Sequence, residues 1–101
     1  MFGLLDRDMI YIHKALEHFE DIEKAIIFGS RAMGNYKKGS DVDIAIIGED
    51  VNSNTILKLD DYLNEVYPLP YFFDIIQYNS IKNEKLIEHI NNEGKLIYTI
   101  K

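Results

Sequence analysis

The stretch Asp41-Val42-Asp43-Ile44-Ala45-Ile46-Ile47 constrains this chain more than any other. Val42, Ile44 and Ile46 alternate as they do in a strand with one face in a core, and Asp41 and Asp43 fall on the opposite face. Their Cα atoms lie about 6.5–7 Å apart along such a strand. Two carboxylates on one face of a core strand are costly unless positive charge meets them. The chain must either supply that charge or bind it.

The rest of the composition narrows the classes available. The chain has 101 residues, 47% of them apolar, which is enough for one core and predicts a single domain over 1–101. A domain of this size buries a modest share of its surface, so self-association is one route to added stability. It has no cysteine, which excludes disulfides, zinc fingers and thiol nucleophiles. The formal net charge is −6, which argues against a nucleic acid as the direct partner. The N-terminal MFGLLDRDMIY has neither the basic region nor the apolar run of a signal peptide, and no stretch is apolar enough to span a membrane. The expectation is a soluble cytoplasmic protein.

Periodicity divides the chain into alternating helices and strands. A helix is expected from Asp6 to about Glu20, capped by Asp6 or Asp8, with Ile10, Ala15, Leu16 and Phe19 toward one side. Lys24–Phe28 reads as a strand, Ser30 to about Gly34 as one helical turn, and Asn35–Ser40 as a polar loop. Asp41–Ile47 is the second strand, and Ser53 to about Val66 is a second long helix. Tyr67–Pro70 holds both prolines and breaks the chain before a third strand, Tyr71–Tyr78. Ser80 is expected to cap a last helix running to about Asn92 and stopped by Gly94, with KLIYTI as a final strand or extended tail. This order predicts an α+β fold: a small mixed sheet with helices packed on one face and the carboxylates on the other.

Asp74 repeats the anomaly of the second strand, since it lies among the large apolar residues of YFFDIIQY. Were the two strands neighbours in a suitable register, three carboxylates would converge and repel one another. Divalent cations relieve such repulsion, and carboxylate oxygens suit magnesium or manganese. Upstream, Gly29 and Ser30 follow a strand and open a helical turn. Such a turn offers free N–H groups to phosphate, and glycine allows close approach. A phosphate cradle beside a carboxylate cluster is the equipment of metal-assisted phosphoryl or nucleotidyl transfer.

Gly29-Ser30, ten intervening residues, Asp41-Val42-Asp43, and then Asp74 in an apolar strand resemble the signature of the DNA polymerase β-like nucleotidyltransferases. More narrowly they resemble the minimal (MNT) branch, and element order and length extend the likeness over nearly the whole chain. Met33 departs from the pattern, because relatives often carry a basic residue there. The resemblance implies a two-metal reaction with two Mg2+ ions (or Mn2+) and ATP as co-substrate. Asp41 and Asp43 hold both ions in that scheme. Asp74 holds the catalytic one and helps remove the acceptor's proton, and Gly29 and Ser30 bind the phosphates.

The resemblance also implies a partner. Minimal members resemble the antitoxin half of HEPN/MNT toxin–antitoxin pairs, in which AMP is placed on a tyrosine of the HEPN ribonuclease. Only 27 residues follow Asp74, so the expected acceptor is a protein that brings its own binding surface. The alternatives are a small-molecule nucleotidyltransferase of the aminoglycoside-modifying kind, and an antitoxin that acts by binding alone.

Other residues divide between chemistry and structure. Arg31 is read equally as a phosphate ligand and as a brace for the loop. Lys37 and Lys38 read as solvated surface, and Ser40 as a partner for backbone groups at the loop exit. His13, His18 and His89 read as structural or surface residues. Tyr67, Tyr71 and Phe72 read as packing or rim residues, with stacking on a base or a partner as the other option.

Overall fold

The computed structural model describes residues 1–100. Its elements are α1 (Asp6–Glu17), β1 (Lys24–Phe28), α2 (Ser30–Met33), β2 (Val42–Ile47), α3 (Ser53–Asp61), β3 (Phe73–Gln77), α4 (Glu84–Glu93) and β4 (Lys95–Thr99). The four strands form one sheet in the order β3-β2-β1-β4. β1 pairs antiparallel with both β2 and β4, whereas β2 and β3 run parallel. A parallel pair needs a crossover, and the segment containing α3 provides it. KLIYTI, read as a strand or a tail, is the edge strand β4 over Lys95–Thr99.

One face of the sheet carries the main core. Ala25 and Ile27 of β1, Val42, Ile44 and Ile46 of β2, and Phe73 and Ile75 of β3 meet Ile12, Ala15 and Leu16 of α1 and Leu59 of α3. Each fully buried side chain of this size contributes about 1.5–3 kcal/mol, which is why the alternation in β2 is so strict. Within α1, Ala15 and Leu16 are buried, and Phe19 just beyond it packs on the core, as expected, but Ile12 completes the stripe and Ile10 is 63% exposed. The helix also ends at Glu17, short of Glu20. Its N-cap is Leu5, and neither Asp6 nor Asp8 takes that position. Asp8 sits one turn in, where its Oδ2 accepts the Leu5 N–H at 3.0 Å.

The expectation that all helices share one face holds for α1 and α3 and fails for α4. Leu86 and Ile90 of α4 pack on the opposite face, against Phe28, Ala45, Ile26 and Ile76. The apolar spacing of α4 gives it a buried side without saying which surface of the sheet that side meets. The carboxylate face is therefore half roofed. Asn83 caps α4, its Oδ1 accepting from the N–H groups of Lys85 and Leu86 at 3.0 and 3.2 Å. Ser80 belongs instead to a 3₁₀ turn, Tyr78–Ser80.

The second long helix also differs from expectation. α3 stops at Asp61, and Tyr62–Val66 continues as a π-helical turn closed by the Tyr67 N–H on the Tyr62 carbonyl at 2.9 Å. This wider turn moves Asn64 against β3. Its Oδ1 accepts the Phe73 N–H at 2.8 Å, and its Nδ2 donates to the Phe73 carbonyl at 3.0 Å. One side-chain amide thus takes the place of a neighbouring strand at the sheet edge. No described helix is long and apolar enough to cross a membrane.

Candidate active site

The unroofed part of the second face lies where β1 ends and β2 and β3 begin. Register puts Phe28 beside Asp43, and Asp43 beside Asp74, in one row across three strands. The pairing of Asp43 with Asp74 is the relation that sequence leaves open, because nothing local encodes how β3 slides against β2. Neighbouring strands are about 4.7–4.9 Å apart, so the two carboxylates start from adjacent backbone positions. Asp41 lies two residues before Asp43 and is exposed, as is Asp74, while Asp43 is half-buried.

This crowding has an electrostatic cost. The Asp43 carboxyl is pushed up to about 6, first by burial and then by the negative charges of Asp74 and Asp41, with His89 pulling the other way. A group that keeps its proton so close to neutrality has a strong call for positive charge. Among the described residues, no three such side chains converge tightly enough to cage an ion in their present rotamers. The donor set nevertheless fits a hard divalent cation: three carboxylates, two of them directly paired across strands, with the proton affinity of the central one raised by burial and by its acidic neighbours.

Gly29 joins the turn to this cluster. Its φ of 75° and ψ of −156° belong to a region that only glycine enters at low cost. A Cβ at this position would collide with Oδ2 of Asp43. The space left by the missing side chain is thus filled by the central carboxylate. Ser30 then opens α2, whose first N–H groups have no partner within so short a helix.

Arg31 takes the bracing role. It is 3% exposed, and its Nε and Nη2 donate to the Ser40 carbonyl at 3.0 and 2.8 Å while Nη1 donates to the Phe2 carbonyl at 2.9 Å. Its guanidinium also lies over the rings of Tyr36 and Tyr71, 5.3 and 5.0 Å from their centroids. Through these bonds Arg31 fixes the residue just before Asp41. Ser40 works at the loop exit, its Oγ accepting the Lys37 N–H at 2.9 Å.

Two residues gain roles that the sequence did not suggest. His89 of α4 accepts the Gly29 N–H on Nε2 at 2.9 Å and meets the Phe28 ring edge-on. A lone histidine on an amphipathic helix carries no signal of this, since the contact spans 60 residues. Asn64, described above, anchors the residue before Asp74. The other histidines are away from the row: His18 stacks on Tyr62 at 4.8 Å and His13 meets Tyr98 edge-on. Tyr67 stacks on Tyr62 and lies tilted against Tyr11, and the Tyr71 hydroxyl donates to Asp8 at 2.8 Å. A surface hollow of about 890 Å³ between the end of α1 and α3 contains none of the carboxylate row in its lining.

A sheet of this order, with a glycine–serine turn against a paired set of aspartates, defines a nucleotidyl-transferring class of site. The chain belongs to the polymerase beta nucleotidyltransferase family, whose pattern matches residues 11–101. It is 30% identical over 84 residues to a protein of Methanocaldococcus jannaschii named "Putative protein adenylyltransferase MJ0604", covering 76% of this chain and 79% of that one. Among solved structures it is similar to a chain of a toxin–antitoxin complex with AMP-PNP, with a TM-score of 0.73 and 20% identity over 97% of this chain and 76% of that one. A chain of the toxin–antitoxin MntA–HepT gives a TM-score of 0.71 and 19% identity over 95% of this chain and 74% of that one. At these identities the structural likeness concerns the fold.

Proposed function

We propose that this nucleotidyltransferase moves AMP from ATP to a hydroxyl of a partner protein, a tyrosine of a HEPN-type toxin, and releases pyrophosphate. The row Asp43–Asp74 beside the Gly29–Ser30 turn is the observation that carries the reading. The adenylyltransferase name of the archaeal relative and the toxin–antitoxin setting of the structural neighbours support the acceptor class. The AMP-PNP in one neighbour supports ATP as donor.

In this reading the free N–H groups at the start of α2 and the Ser30 hydroxyl hold the β- and γ-phosphates. Gly29 keeps that turn close to Asp43. Asp41, Asp43 and Asp74 would hold two magnesium ions, which when bound offset the triphosphate charge and acidify the acceptor hydroxyl. The acceptor oxygen forms a bond to the α-phosphorus as the α–β bridging bond breaks, and the electron pair leaves with pyrophosphate. Asp74, exposed at the sheet edge, takes the acceptor's proton and passes it to water. Arg31 keeps Ser40 and hence Asp41 in place, and Asn64 does the same for the backbone leading to Asp74.

The test uses the chain, Mg2+, ATP labelled at the α-phosphorus and the protein encoded beside it. The expected result is label on a tyrosine of that neighbour. Transfer that survives Asp41→Asn combined with Asp43→Asn overturns the carboxylate assignment. Tight binding to the neighbour without any transfer favours an antitoxin that acts by binding alone.

A further inference from the structure

At the β3 edge the carboxylate face leaves a large apolar side chain uncovered. Phe72 is 59% exposed, although it directly precedes β3 and its carbonyl already accepts the Val42 N–H at 2.9 Å. Phe73 is fully buried on the core side, so alternation puts Phe72 on the face that carries Asp74. The pairing of Val42 with Phe73, carried back one residue, sets Phe72 beside Asp41. The ring thus borders two of the three carboxylates.

Its backbone is held on both sides. Tyr71 is tied through its hydroxyl to Asp8, and the Phe73 peptide groups are tied to Asn64. An exposed phenylalanine on a fraying strand end would lose any contact to disorder. This one stands on a clamped backbone, so little ordering is needed when something packs against it.

Its place across the sheet indicates what that something is. The strand order separates the Gly29–Ser30 turn, at the end of β1, from β3 by the width of β2. With the triphosphate on the turn, pyrophosphate departs on the β1 side. In-line displacement brings the attacking oxygen to the α-phosphorus from the opposite side. That side is β3, with Asp74 and Phe72.

We propose that Phe72 is the acceptor-side platform of the site, packing against the ring of an incoming aryl hydroxyl and favouring phenolic over aliphatic acceptors. The inference rests on the nucleotidyl-transfer reading above. Phe72 sets specificity and takes no part in proton or phosphoryl movement.

The test compares wild type, Phe72→Ala and Phe72→Trp with Mg2+ and ATP, offering N-acetyltyrosinamide or N-acetylserinamide as acceptor. ATP-analogue affinity is measured separately by calorimetry. Aromatic pairing predicts that Phe72→Ala raises KM for the phenolic acceptor about fivefold. KM for the serine compound and ATP-analogue affinity should stay within about twofold. Phe72→Trp should keep the phenolic preference. An equal loss of ATP-analogue affinity would mean that the ring stacks on the base, and would overturn the proposal. So would an unchanged phenolic KM in an active enzyme. A wild type that transfers AMP to no acceptor, its protein neighbour included, overturns the functional reading and this inference with it. Melting curves check folding, since truncating an exposed ring empties no core.

Discussion

Asp8 and Asp43 are both carboxylates drawn into the fold, and their surroundings are opposite in kind. Asp8, 1% exposed, is met by donors: the Leu5 N–H at 3.0 Å and the Tyr71 hydroxyl at 2.8 Å. Burial, and then the bond to Asp8, raise the Tyr71 phenol above its ordinary value, so it remains a donor. Asp43 is met by Asp74 and Asp41 and by the glycine turn that presses on it. The first arrangement is complete within the chain, and the second, in the proposed reading, would be completed by a cation. A buried acid is thus explained by its neighbours, and its sequence context alone does not separate the two cases.

Substitution should separate them, beginning with the largest effect. Asp43→Asn keeps the shape of the side chain and removes the charge, so AMP transfer should fall by roughly 10²- to 10³-fold or more, as measured with α-labelled ATP. Asp8→Ala should act on stability, leaving the Leu5 N–H and the Tyr71 hydroxyl unpaired. The expected loss is about 2 kcal/mol, or on the order of 10 °C in Tm, with AMP transfer by the folded fraction retained. Were Asp8→Ala to abolish transfer in folded protein, the division between the two acids would fail.

The smallest effect has the opposite sign. Asp43 has a folded value of about 6 against an ordinary value of 3.8, so the native state binds more protons between these limits. This group therefore lowers the stability of the metal-free chain as pH rises from about 4 to 6, and the penalty is complete above that range. Because Asp43 is only half-buried, screening reduces the effect to about 1 kcal/mol. Metal-free Asp43→Asn should thus melt roughly 5 °C higher than wild type near pH 7.5, and the gain should vanish near pH 4. A variant that melts lower at pH 7.5 would show that Asp43 is satisfied within the chain, as Asp8 is.

What the sequence made legible follows from the range of the forces involved. The alternation in β2 and the breaks are local, and they defined the element order and the mixed sheet, whereas the expected N-caps at Asp6 or Asp8 and at Ser80 gave way to Leu5 and Asn83. The glycine–serine turn and the acidic residues stood out because each broke a local pattern. The side of the sheet taken by α4, the contact from His89 to Gly29, and the bonds from Asn64 to Phe73 depend on tertiary placement. The π-helical turn that delivers Asn64 has no marker in the run of Leu59 and Leu63, which suits an ordinary helix equally well. Arg31 shows the remaining difficulty: its charge suits phosphate, and only the carbonyls of Phe2 and Ser40 reveal a structural use.

The parallel pairing of β2 with β3 bears on how the chain folds. Asp43 and Asp74 are 31 residues apart, and they meet only after the intervening crossover has closed. β1 and β2 pair antiparallel across a shorter loop, so their contact carries a smaller closure entropy. A chain stalled before β3 docks would retain that pairing and still lack the paired carboxylates. In the proposed reading, cation affinity therefore doubles as a folding gauge: in stopped-flow refolding, its recovery should track the slow, non-local step, with little of it present in the early collapsed state.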